Sequence, residues 1–214
     1  MRITYLFDPL CGWCYGGGPV LEQLAARRDV ELMLAPTGLF AGEGARPMDA
    51  RFAAHAWQND QRIARLTGLV FSDAYRHRIL DALGAMVDSA PATLGIVAVG
   101  VREPDREFDA LKALQRARYV HGRENTTLDA VAEILDKAGF GEAANRVSAP
   151  DEELLTTYRC KIEAARSEMA AFGARGVPAL VVGENTTRKM LPSSALFGGL
   201  DALTARLQSV GHTH

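Results

Sequence analysis

The 214-residue chain is ordinary in composition, 48% hydrophobic and 23% charged, with a formal net charge of -2. No apolar run approaches the ~20 residues that span a bilayer, and Lys and Arg are scattered rather than clustered, which argues against a membrane anchor and against a nucleic-acid partner. Three cysteines are too few for a disulfide scaffold, so a close pair among them points to redox chemistry or to a metal.

Residues 2 to 8 put Ile3, Tyr5 and Phe7 on one face and Thr4 and Leu6 on the other, a strand stopped by Asp8-Pro9. The opening Arg2 to Phe7 lacks the basic, apolar and small-residue succession of a secretory leader, so the expected compartment is the cytoplasm. Cys11 and Cys14 follow at a helix start, and Gly16-Gly17-Gly18-Pro19 predicts a break before Val20, Leu21 and Leu24 resume an apolar face. Val30 to Ala35 reads as a buried strand, parallel to the first through a right-handed crossover. A long helical region is predicted next, at roughly 48 to 66, 73 to 88, 91 to 102, 106 to 121, 126 to 138 and 151 to 173, uninterrupted by strands. Asp49, Asp105 and Asp151 serve as expected start signals and Gly68, Gly122 and Gly139 as stops. Strands return at Ala179 to Val182 and near Arg188 to Leu191 as a hairpin, before a last helix capped by Ser193 or Ser194 and carrying Leu196, Leu200, Leu203 and Leu207. The order is βαβ, a helical insert, then ββα.

Two cysteines three positions apart at a helix start share a face, close enough for a disulfide, and the first sits among backbone amides that have no partner within the helix. Those amides stabilise a thiolate. First cysteines of such pairs have pKa values from ~3.5 to ~7, against ~8.5 for a free thiol, which makes Cys11 the expected nucleophile and Cys14 the resolving residue. Neither Gly12 nor Trp13 is cationic, so the pair is expected to be less oxidising than an extreme oxidant. A zinc site would need Cys160 with one of His55, His77, His121, His212 or His214, and the second cysteine pair typical of such sites is missing. No metal is therefore expected. Tyr15 after the pair excludes a haem-attachment motif, which needs histidine there.

With Cys11-Gly12-Trp13-Cys14-Tyr15-Gly16 after the first strand and Gly176-Val177-Pro178 after the helical insert, the chain resembles the DsbA-like branch of the thioredoxin superfamily. Within that branch it is most similar to cytoplasmic FrnE-like and protein-disulfide-isomerase-like proteins, which often carry Cys-Pro-Trp-Cys, where this chain has Gly12 in place of the proline. The resemblance implies a thioredoxin fold from residues 1–40 and 175–214, with 41–174 as an all-helical insertion. It implies a protein disulfide oxidoreductase or isomerase acting on protein or small-molecule thiols and disulfides, with no resident cofactor and glutathione as a candidate redox partner. It also implies a cis Val177-Pro178 bond facing the motif, with the Val177 backbone and Trp13 contacting substrate. The related kappa-class glutathione transferases and 2-hydroxychromene-2-carboxylate isomerases usually keep a lone serine or cysteine, so a glutathione-dependent isomerase is the alternative enzyme reading and a peptide-binding module the non-catalytic one. Neither oligomeric state nor the direction of exchange is expressed in these motifs.

Asp8 has two readings, a turn or cap role at the helix entry and a proton-accepting role for Cys14, of which the first is the commoner for Asp-Pro. Trp13 either faces substrate or packs on the insert. Cys160 reads as a small core residue, and His55, Trp57, Tyr75 and His77 could line a cleft facing the motif but carry no assigned role. The terminal Gly211 to His214 reads as a frayed tail.

Overall fold

A computed structural model describes residues 1–211, with side chains to residue 207. Strand β1 (Arg2–Phe7) leads through α1 (Gly12–Gly16) and α2 (Gly18–Ala25) to β2 (Glu31–Pro36). The break falls at Gly17, where Pro19 sits in the first turn of α2, as its missing N–H allows. The chain then passes β3 (Arg46–Pro47), α3 (Ala50–Thr67), α4 (Asp73–Tyr75), β4 (Met86–Val87), α5 (Ala90–Arg102), α6 (Glu107–Tyr119), α7 (Leu128–Lys137), α8 (Gly141–Ser148) and α9 (Glu152–Ala171). It returns as β5 (Ala179–Val182), β6 (Lys189–Leu191) and α10 (Gly199–Gly211). The main sheet runs β2-β1-β5-β6, with β1 and β2 parallel and the other two pairings antiparallel.

The sides of β1 separate as the alternation requires. Ile3, Tyr5 and Phe7 enter a core shared with α2 and with helices α5 to α9, whereas Leu6 packs with Ala165, Ala179 and Val181 on the opposite face. Burying each of these large apolar side chains contributes roughly 1.5–3 kcal/mol before entropy is counted. Helix α5 is buried continuously from Ala92 to Gly100 and is the centre of the helical layer. A second core gathers Leu10, Ile63, Phe71, Tyr75 and Tyr119 over the start of α1.

Asp49 and Asp151 cap α3 and α9, accepting from the Phe52 and Leu154 amides at 2.7 and 2.8 Å. Gly68 and Gly139 take the left-handed conformation at the ends of α3 and α7, and Gly122 takes it just beyond α6. Several expectations are corrected. β2 is not buried, because it is the sheet edge and alternates exposed Glu31 and Met33 with half-buried Leu32 and Leu34. The helix expected over 73 to 88 is only α4 and one π-helical turn, Arg76–Leu80. Gly84, at φ +86°, turns the chain, and β4 then pairs with β3 to give a strand pair inside the supposedly all-helical region. Asp105 caps nothing: it lies in a 3-10 turn opened by Pro104, and α6 starts without a side-chain cap. Helix α8 was not expected; it is only eight residues long, and its buried face is made of the small side chains Ala143, Ala144 and Val147. Ser193 and Ser194 fall in a 3-10 turn whose N-cap is Pro192, and α10 begins only at Gly199. His212 to His214 lie outside the described residues.

Candidate functional site

The end of β1 delivers the cysteine pair. A turn closed by the Cys11 amide on the Asp8 carbonyl, at 3.1 Å, brings Cys11 to the N-cap of α1 with extended backbone, and Cys14 follows one turn later. Both thiols are free, Cys11 at 9% exposure and Cys14 at 1%. Burial pushes the Cys14 thiol well above its ordinary range, and its hydrogen bond with Cys11 adds to the rise. Beneath the pair, the Tyr5 hydroxyl donates to the Cys14 carbonyl at 2.9 Å. The Val177-Pro178 bond is cis, and the Val177 carbonyl accepts from the Cys11 thiol across 3.7 Å, so both segments meet at Cys11.

Asp8 is fully buried and its carboxylate is occupied. Oδ1 accepts from the Leu10 amide at 2.9 Å, while Oδ2 accepts from the Phe40 amide at 3.1 Å and the Ser89 hydroxyl at 2.7 Å. These donors offset only part of the desolvation that raises its pKa. Asp8 does not cap α1. It is a turn anchor that ties the motif loop to the loop after β2 and to the start of α5.

The facing wall comes from α3, α4 and α6. Asp60 of α3 is 3% exposed, and its Oδ2 accepts from the Tyr75 hydroxyl at 3.0 Å. Burial raises its pKa from 3.8 to about 7, against the lowering effect of Tyr75 and Arg118. Its Oδ1 is turned to the motif so closely that a Cβ on Gly12 would stand 2.3 Å away. One turn on, a Cβ on Gly16 would meet Ile63 at 2.6 Å, so α1 and α3 approach through two glycines of one face. This is a physical reason for Gly12 where related motifs carry proline: the carboxylate occupies the space that a ring would need.

Trp13 packs on the insert, through Asn59 and Arg62 of α3. It is half-buried, its indole N–H donates to Asn59 Oδ1 at 3.3 Å, its ring meets Phe197 edge-on, and the Arg62 guanidinium lies 5.6 Å above it. It also borders, with Cys11, Gly12, Phe40, Phe52, His55, Asn59, Asp60, Tyr75 and Arg118, a cavity of about 190 Å³. Tyr75 and His55, left without a role on sequence grounds, therefore line the same cavity as Cys11. Trp57 instead lines a separate hollow with Arg76 and Leu80.

Sequence reasoning missed Asp60, Asn59 and Arg118. A signal for Asp60 existed: Ala53, Ala56, Asp60 and Ile63 recur at helical spacing, so a carboxylate interrupts the apolar stripe of α3. Cys160 is exposed rather than a core residue. Among the described residues, no three metal-type side chains cluster and no helix is long and apolar enough to cross a membrane.

A family profile for the DSBA-like thioredoxin domain matches residues 2–205. No curated protein matches the chain in sequence. Among solved structures, the cytosolic disulfide reductase DsbM from Pseudomonas aeruginosa superposes with a TM-score of 0.84 at 28% identity, covering 98% of each chain, and its complex with GSH does so at 0.81 and 29%. A proposed protein disulfide isomerase from Nitrosomonas europaea gives 0.81 at 25% identity, covering 100% of this chain and 98% of the other. A 2-hydroxychromene-2-carboxylate isomerase gives 0.65 at 18% over the full length of both, a likeness of fold.

Proposed function

The chain belongs to the DSBA-like thioredoxin domain family and is a thiol-disulfide oxidoreductase, and on that premise we propose that it is a cytoplasmic dithiol reductase working through Cys11 and Cys14. The observation that carries this reading is the asymmetry of the pair. Cys11 borders the cavity, while Cys14 lies behind it at 1% exposure with its thiol held protonated. No side chain caps α1, so its first-turn amides are left to a sulfur at Cys11.

In this cycle the Cys11 thiolate attacks a substrate disulfide and releases one substrate thiolate. The Cys14 thiol then loses its proton and attacks the Cys11 sulfur, releasing the second; two electrons pass from the dithiol to the substrate. Two molecules of glutathione restore the dithiol and leave as glutathione disulfide. The likeness to a cytosolic disulfide reductase, one of whose structures holds GSH, supports the compartment, the direction and the redox partner. The Val177 backbone and Trp13 border the attacked sulfur and are the proposed substrate contacts, with protein and small-molecule disulfides as the substrate class.

Turnover of glutathione disulfide or reduction of insulin tests the roles. Cys11→Ser abolishes exchange, whereas Cys14→Ser accumulates a mixed disulfide at Cys11. Equal, partial losses in both variants contradict the assignment, and full activity in a Cys14→Ala variant selects a glutathione-dependent isomerase instead.

A further inference from the structure

Disulfide exchange at Cys11 moves a proton as well as a sulfur. A substrate thiol must lose its proton before it attacks, and a departing substrate thiolate must regain one. Among the described residues two aspartates are fully or nearly fully buried, Asp8 and Asp60. Both oxygens of Asp8 already accept from the Leu10 and Phe40 amides and the Ser89 hydroxyl. Asp60 has one oxygen on the Tyr75 hydroxyl and turns the other to Gly12, between the cysteines, on the wall of the cavity that Cys11 also borders.

We infer that Asp60 carries the proton of the substrate sulfur. As a carboxylate it takes the proton from an incoming thiol, RSH; RS⁻ then attacks the Cys11 sulfur of the oxidised pair. The Cys11–S–R bond forms, the Cys11–Cys14 bond breaks, and Cys14 leaves with the electron pair and is protonated from solvent. In the reverse step the Cys14 thiol gives its proton to solvent and attacks, and the departing RS⁻ recovers its proton from the Asp60 carboxyl.

The surroundings support such a role. Around Asp60 stand Cys11 on the motif side, His55 on its own helix, Tyr75 of α4, and Arg118 of α6, with Tyr119 packed edge-on behind Tyr75. The Arg118 side chain is 4% exposed, lines this wall, lies 5.8 Å over the Tyr75 ring and donates to Asn125 at 3.2 Å; among the described residues its Nε has no partner and it forms no ion pair. The Tyr75 hydrogen bond, with that charge behind it, keeps Asp60 from remaining permanently protonated, while burial keeps it from being permanently ionised. The resulting value of about 7 leaves both forms populated at neutral pH, the condition for efficient transfer in either direction.

This inference rests on Cys11 being the attacked sulfur, and one experiment separates the two. Oxidised enzyme is mixed with glutathione, protonated at neutral pH, or with an aromatic thiol already ionised over the same range, and loss of the disulfide is followed by acid quench and alkylation. Asp60→Asn loses on the order of 100-fold with glutathione and nothing with the aromatic thiol. In the wild type, the glutathione profile carries an inflection near 7 that the aromatic thiol lacks, and His55→Gln retains it. Equal losses with both thiols, or wild-type profiles of one shape for both, overturn the role of Asp60. Failure of the oxidised wild type to react with either thiol overturns instead the assignment of Cys11.

Discussion

Replacing Asp60 by Asn should stabilise the protein at alkaline pH and leave it almost unchanged in acid. The carboxyl rises from 3.8 to about 7 on folding, chiefly through desolvation. A difference of about 3 units corresponds to about 4 kcal/mol at 1.36 kcal/mol per unit. Between these two values the folded state binds more protons than the unfolded chain, so stability falls as pH rises through 3.8 and the loss is complete above about 7. Asparagine is neutral throughout and its carbonyl can still accept from the Tyr75 hydroxyl. Relative to wild type, Asp60→Asn therefore gains little at about pH 4 and up to about 4 kcal/mol at about pH 8. Urea unfolding measures this directly: with a slope of about 3 kcal/mol per molar, the midpoint at the higher pH moves up by roughly 1 M. An equal change at the two pH values, or a variant less stable than wild type at the higher one, refutes the reasoning. A gain of this size would also mark Asp60 as a residue retained at a cost to stability, as functional groups often are.

Two further predictions concern the motif's supports. Gly12→Ala sets a methyl against Asp60 Oδ1 and should cost about 1–3 kcal/mol; adding Asp60→Ala should recover most of it, and additive losses in urea midpoints would mean that the two residues do not touch. Asp8→Asn replaces one of two accepting oxygens by a donor facing N–H or O–H groups, with an expected loss of about 1–3 kcal/mol. Its pH profile of glutathione oxidation should match wild type, and a displaced profile would return Asp8 to a proton-handling role.

The cysteine pair was legible because its chemistry is local: strand, turn and helix start lie within 15 residues, and a thiol at an N-cap needs no distant partner to be recognised. The same holds for Asp49 and Asp151, which act on amides three residues ahead. Asp105 failed as a cap where Pro104 one residue before it opens a 3-10 turn instead. The second strand pair escaped because a two-residue ladder carries almost no alternation, and helix α8 because it is only eight residues long and its buried face is made of small side chains.

What local sequence determined here is the cysteine pair at a helix start and the topology βαβ then ββα, while the opposed Val177-Pro178 followed from the family resemblance. What only the tertiary structure decided is the environment of that group. Asp60 and Gly12 are 48 positions apart, Tyr75 and Arg118 stand on other helices, and Asp8 draws its donors from Leu10, Phe40 and Ser89. Whether a carboxylate is a turn anchor or is free to exchange a proton depends on which donors reach it and how much water is excluded, and both are set by packing between segments remote in the chain.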